Sequence, residues 1–150
     1  MTGPLPLDGV AVRGARPDDA AAVWPLVVAF APSFVPESAA FDASFATLLA
    51  DDDALVLVAE AGDAVVGYLV AHRHATLFAN APVGRVEEVM VDDDARRRGI
   101  GRLLVEAAED WAAATGAAYV ALATRRAAPF YAALGYDNTA AFFRKVLPPR

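Results

Sequence analysis

The sequence predicts a mixed α/β domain built around one sheet, and three observations carry that prediction. Short apolar runs with strand character alternate with longer runs in which apolar residues recur at helical spacing. Glycine, proline and acidic turn signals separate them, as in "AGDA" at 61–64 and at Gly116 and Gly135. The chain has 150 residues, enough for one domain spanning 1–150 and for a core that needs no staples.

The elements follow in order. "VAVRGA" (10–15) reads as a short first strand. "RPDDAAAVWPLVVAF" reads as a helix, with Pro17 in its first turn and Asp18 and Asp19 suited to the N-terminal dipole. Pro25 is expected to kink or divide it. In residues 37–53, Phe41, Phe45, Leu48 and Leu49 fall at i, i+4, i+7 and i+8, one face of a second helix. "ALVLVAE" and "VVGYLVAHRHATL" flank the "AGDA" turn as a hairpin, and "GRVEEVMV" is a further strand. "GIGRLLVEAAEDWAAATG" is the clearest helix, with Leu103, Leu104, Ala107, Ala108 and Trp111 on one face and Gly116 closing it. "AAYVALAT" reads as a strand buried on both faces, "APFYAALG" as a short helix, and "AAFFRKVL" as a last strand.

Composition narrows the function. The chain has no cysteine, which excludes disulfides, thiolate nucleophiles and cysteine-based zinc sites. The formal net charge is -6, and the only dense basic cluster is Arg96, Arg97 and Arg98. Nucleic acid is therefore not an expected partner, whereas one phosphorylated small molecule is within that cluster's reach. No apolar stretch is long enough to span a membrane and the N-terminus has no secretory pattern, so a cytoplasmic protein is expected.

The most informative stretch is "VDDDARRRGIG" (91–101), which lies between a strand and a helix. A helix N-terminus presents unpaired N–H groups and a partial positive charge. Glycines let an anion approach that backbone, and arginines add charge-assisted bonds to phosphate. Arg98, Gly99, Ile100, Gly101 and Arg102 can thus form a pyrophosphate cradle. A dinucleotide fingerprint is incomplete, because Leu104 stands where its third glycine belongs. Arg125 and Arg126 keep an NADP-binding reading open, and a Walker loop is absent.

"VEEVMVDDDARRRGIGRLLVEAAEDWA" resembles the acetyl-CoA-binding motif of the GCN5-related N-acetyltransferase (GNAT) superfamily, Arg/Gln-x-x-Gly-x-Gly/Ala after a strand, here Arg96, Gly99 and Gly101. "AAPFYAALGY" is similar to a second segment of that family, with Ala127, Phe130, Tyr131, Gly135 and Tyr136. The resemblance implies a mostly antiparallel mixed sheet of six or seven strands with about four helices, and a strand splay at the cofactor site. Acetyl-CoA is the implied cofactor. Its pantetheine arm would bond the backbone of Val89, Met90 and Val91, and its pyrophosphate would sit on residues 97–102. Family members often have proline near Asp93 and glycine at Arg97. Many carry asparagine where this chain has Thr124, a position that can still hydrogen-bond. Many members also dimerise, so a homodimer is compatible with the resemblance.

Acetyl transfer requires a neutral amine, and a carboxylate can take the ammonium proton. Glu87 and Glu88 are the candidates. Strict alternation puts them on opposite faces, and Val89 and Val91 on Glu87's face read as core, which favours Glu88. Tyr131 is the family's usual general acid, a phenol that can protonate a departing thiolate. None of Ser33, Ser38 and Ser44 sits in a nucleophile elbow, so direct transfer is expected rather than an acyl-enzyme. Phe30, Phe34, His72 and His74 are candidates to line the acceptor site, with Trp24, Phe41, Phe45 and Tyr68 behind them. Two histidines without a third ligand do not make a metal site. The expected activity is N-acetylation of a small-molecule or protein amine. The alternative is an acyl-CoA-binding module without turnover.

Overall fold

The structure is a computed structural model that describes residues 9–31 and 33–149. Five strands form one sheet in sequence order: β1 (Val10–Gly14), β2 (Ala54–Ala61), β3 (Ala64–His74), β4 (Val83–Val91) and β5 (Val120–Leu122). The first four pair antiparallel, and β5 joins β4 in parallel. Helices α1 (Ala20–Phe30) and α2 (Ser38–Ala50) cover one face, and α3 (Ile100–Ala114) covers the other. The short α4 (Ala128–Ala133) follows β5. No described helix is long and apolar enough to cross a membrane.

The central strands are apolar at nearly every position because both their faces are covered. On β2, Leu55, Leu57 and Ala59 face the α3 side, while Val56 and Val58 face α1 and α2. On β3 the same division sends Leu69 and Ala71 one way and Tyr68 and Val70 the other. Helix α3 buries Ile100, Leu104, Val105, Ala108 and Ala112, a stripe rotated slightly from the expected one. It lies close to the sheet at Gly67, where an added Cβ would come within 3.1 Å of the Met90 carbonyl oxygen and 3.3 Å of a Leu104 methyl.

Four expectations need correction. The sheet has five strands rather than six or seven. Residues 140–147 form no strand, and their large apolar side chains, such as Phe143 and Leu147, stay exposed. That segment is drawn instead toward the α1–α2 side, where the Arg85 guanidinium lies over the Phe142 ring and Arg144 donates to the Ser33 hydroxyl at 3.2 Å. With no strand beyond it, β5 has only three residues, and all are half-buried. Pro25 does not divide α1, which continues through it; it sits on the exposed face, where the carbonyl left without a partner can meet water.

The start of α1 is anchored electrostatically. Asp19 is buried, and its two carboxylate oxygens accept from Arg13 at 2.8 Å each. Arg13 also pairs with Glu60 on β2, and the Arg16 N–H donates to Asp19 at 2.7 Å. This network ties β1, β2 and the turn Pro17–Asp19 together. Asp19 therefore serves a guanidinium as well as the helix dipole.

Candidate functional site

The site begins where the sheet opens. Parallel pairing between β4 and β5 stops at Val86 and Leu122. Beyond it β4 runs on through residues 87–91 with no partner on that side among the described residues. A cleft of about 820 Å³ fills the gap, lined by β4 from Val86 to Val91, the start of α3, residues 122–127, Phe130 and Tyr131. The mostly antiparallel sheet also removes the NADP-binding reading, which needs a parallel dinucleotide-binding half. Arg125 and Arg126 are simply exposed residues at the cleft's edge.

A β-bulge changes the geometry of the two glutamates. Val70 pairs with Glu88, but the next residue, Ala71, pairs with Val86, leaving Glu87 as the extra residue. Val86 and Val89 both pack on the α3 side, although two residues separate them; strict alternation would need one or three. Glu87 and Glu88 therefore both emerge on the side of α1 and α2, and the expectation that they lie on opposite faces is overturned. Their surroundings differ. Glu87 is exposed and pairs with Arg85 at 2.8 Å. Glu88 is half-buried and accepts a 2.7 Å hydrogen bond from Tyr68, whose ring is 1% exposed. Burial, reinforced by the neighbouring carboxylate, pushes the Tyr68 phenol well above its ordinary range, so it remains a donor.

The cleft's other wall is formed by the start of α3 and the loop before it. Gly99 caps α3 in the left-handed region with φ +81°, and no side chain caps the first-turn N–H groups. Ile100, Gly101 and Arg102 thus present backbone donors at the cleft lining. Arg97 is also left-handed, with φ +65°, which explains why glycine suits that position. Arg96 fastens the loop: its Nε donates to the Val91 carbonyl at 3.2 Å and its guanidinium pairs with Asp93 at 3.1 Å. Asp93 lies in a turn of 3-10 helix, Asp93–Ala95, whose first N–H groups Asp92 helps cap. Arg102 pairs with Glu106 at 2.5 Å. Arg97 and Arg98 have no acidic partner among the described residues, and Arg97 but not Arg98 lines the cleft. Of the arginines expected to meet the pyrophosphate, Arg102 lines the cleft but is engaged by Glu106, and Arg98 lies outside the lining.

From α4, Phe130 and Tyr131 stack edge to face at 4.9 Å and close the cleft beside Gly101. The Tyr131 hydroxyl has no hydrogen-bond partner among the described residues, and burial raises its pKa above the ordinary value of 10.0. Thr124 lines the cleft, but its hydroxyl accepts from the Ala127 N–H at 3.0 Å and so shapes the approach to α4.

A second cavity of about 290 Å³ lies on the α1–α2 side. Phe34, Phe41, Phe45, Val27, Val56 and Tyr68 are among its walls. Among the described residues, Glu88 is the one that lines both cavities. Of the expected acceptor residues, Phe34 lines this cavity, while Phe30 lines the cleft and meets the Tyr68 ring edge to face at 6.4 Å. His72 and His74 line neither. The Tyr68–Glu88 bond could not be read from spacing, because it depends on cross-strand register and the bulge.

The family model described as "Acetyltransferase (GNAT) family" matches residues 21–136. No curated protein matches the sequence significantly. Among solved structures, a putative acetyltransferase from Agrobacterium tumefaciens is 27% identical with a TM-score of 0.81, covering 91% of this chain and 99% of its own. A glucosamine-6-phosphate N-acetyltransferase from Arabidopsis thaliana is 20% identical with a TM-score of 0.82, covering 93% and 99%. An aminoglycoside N-acetyltransferase in complex with CoA is 22% identical with a TM-score of 0.80, covering 91% and 94%.

Proposed function

The chain belongs to the GNAT family of acetyltransferases, and from that premise we propose that it is an acetyl-CoA-dependent N-acetyltransferase acting on a primary amine. The observation that carries the reading is the position of Glu88, a carboxylate shared by the anion-binding cleft and the apolar cavity. One cavity suits the cofactor, the other an acceptor, and the group able to take a proton stands where they meet.

The residues present fit acetyl-CoA. The open edge of β4 at Val89, Met90 and Val91 can pair with an amide-containing arm as an added strand would. The uncapped first turn of α3, with Gly99 and Gly101 leaving room and Arg97 beside it, can hold a pyrophosphate. Acetyl-CoA held there would supply the acyl group, a thioester whose carbon–sulfur bond would break as the carbonyl carbon bonds to the amine nitrogen. Glu88 takes the proton from the acceptor ammonium, and Tyr68 holds the carboxylate in place for that transfer. Tyr131, kept protonated by burial, would give its hydroxyl proton to the departing sulfur, and the second proton, lost from the nitrogen as it is acylated, would restore the phenol by way of solvent. Backbone N–H groups along the open edge of β4 would polarise the acyl oxygen.

The test is thiol release from acetyl-CoA across a panel of primary amines, combined with a thermal shift on CoA binding. At 100 times its dissociation constant, CoA is expected to stabilise the protein by about 2.7 kcal/mol. Stabilisation by CoA without thiol release on any amine would identify a binding module and overturn the catalytic reading. A second reading, with Glu87 as base, draws on its place in the cleft lining, but its ion pair with Arg85 and its exposure favour Glu88.

A further inference from the structure

The cavity on the α1–α2 side has a chemistry of its own. Its lining is almost wholly apolar: Val23, Val27, Phe41, Phe45, Leu48 and Val70 are representative. Among the described residues, the only charged ones in its walls are Glu37 and Glu88, both carboxylates, and no arginine, lysine or histidine lines it. The nearby Arg144 guanidinium lies over the Phe34 ring, 6.0 Å from its centroid, and is held by Ser33 without joining the lining.

From this we propose that the acceptor is a compact primary monoamine with an aromatic or branched hydrocarbon body, of the 2-phenylethylamine type. The inference rests on the acetyl-transfer reading above and specifies its substrate class. The ammonium would meet Glu88 at the mouth shared with the cofactor cleft, and the hydrocarbon would occupy the cavity. The volume of about 290 Å³ lies at the lower edge of the roughly 300–1,000 Å³ usual for small-molecule sites, which suits a small body.

The walls also argue against other classes. A sugar amine would set its hydroxyls against hydrocarbon, and each hydroxyl without a partner there opposes binding. A phosphorylated amine or an amino acid would bring an anion to a cavity whose only charges are negative. Polar acceptors such as those named for the structural relatives therefore fit this cavity poorly.

The experiment compares kcat/KM for acetylation by the full chain of 2-phenylethylamine, phenylalanine, glucosamine, glucosamine 6-phosphate, 1,5-diaminopentane and the straight amines from propyl to hexyl. The expected result is that 2-phenylethylamine exceeds each of the polar and doubly charged amines by about a hundredfold. Each added methylene in the alkyl series is expected to raise kcat/KM about fourfold until the cavity is full, the factor that follows from ~0.8 kcal/mol per buried methylene. The exposed Ser44, which lines the cavity, provides a variant: Ser44→Phe should raise KM for 2-phenylethylamine at least tenfold and leave CoA affinity unchanged. Efficient acetylation of glucosamine, of 1,5-diaminopentane or of phenylalanine, or no dependence on alkyl length, overturns the substrate class while leaving acetyl transfer intact. Absence of thiol release with every amine overturns the acetyl-transfer reading as well. The alkyl series does not depend on any variant folding.

Discussion

The Tyr68 hydroxyl donates to the Glu88 carboxylate at 2.7 Å, from a ring that is 1% exposed and packed between the sheet and α1. A buried donor in a fixed position sets where the carboxylate points. Tyr68 is in this account a positioning residue for Glu88. Tyr68→Phe keeps the ring and removes the donor. The expected outcome is a tenfold or greater fall in kcat with little change in KM for acetyl-CoA. A loss of thermal stability with kcat unchanged would mark Tyr68 as core only.

Tyr131 lies in the cleft with its hydroxyl unbonded among the described residues and its pKa raised by burial. A donor that ionises only above its ordinary value of about 10 stays competent through neutral and moderately alkaline pH. Tyr131→Phe is expected to lower kcat by about 10²- to 10⁴-fold. The wild-type rate should show no alkaline fall assignable to this group below pH 10. An alkaline limb near pH 8 that disappears in Tyr131→Phe would contradict the assignment.

The approach to α3 holds two left-handed residues, Arg97 at φ +65° and Gly99 at φ +81°. A side chain in that region costs roughly 1–2 kcal/mol. Gly99→Ala should therefore lower the unfolding free energy by about that amount. Arg97→Gly relieves similar strain but frees the unfolded chain, so its net change should stay within about 0.5 kcal/mol. Denaturant titration of both variants checks the contrast. Equal losses would mean that the loop conformation is not as described.

The Arg13–Asp19–Glu60 network makes stability depend on pH. The Asp19 carboxyl is held below its ordinary value of 3.8, chiefly by the hydrogen bonds from Arg13, with burial acting in the opposite direction. A lowered folded-state value means stabilisation that is fully present above the unfolded value of about 3.9 and is lost as pH falls through the folded one. Asp19→Asn should lower Tm clearly at pH 7, and the gap to wild type should close as pH drops from about 4 toward 2. A gap independent of pH over that range would rule out ionisation as its source.

The sequence was legible where a pattern needs only local spacing. The stripe of α3, the α2 face of Phe41 and Phe45, and the start of α3 at Gly99–Gly101 all follow from neighbours a few residues apart. Features that depend on distant partners were not. The bulge at Glu87 is set by pairing with β3, and it undid an alternation argument that was sound for an unbroken strand. Residues 140–147 have strand-like composition but gain no ladder, since Phe142 and Arg144 find Arg85, Phe34 and Ser33 instead. The engagement of Arg102 by Glu106, which leaves Arg97 as the unpaired cleft-lining arginine beside the start of α3 among the described residues, is likewise a matter of side-chain geometry.

The central claim is that Glu88, where the two cavities meet, takes the proton from the acceptor amine. The most direct measurement is the rate of thiol release from acetyl-CoA with 2-phenylethylamine by wild type and Glu88→Gln, across pH 6 to 10, with CoA affinity measured alongside. The account predicts a fall of about 10²- to 10⁴-fold at pH 7, unchanged CoA affinity, and partial recovery toward pH 10 as free amine accumulates. A Glu88→Gln enzyme that keeps the wild-type rate at pH 7 would contradict it.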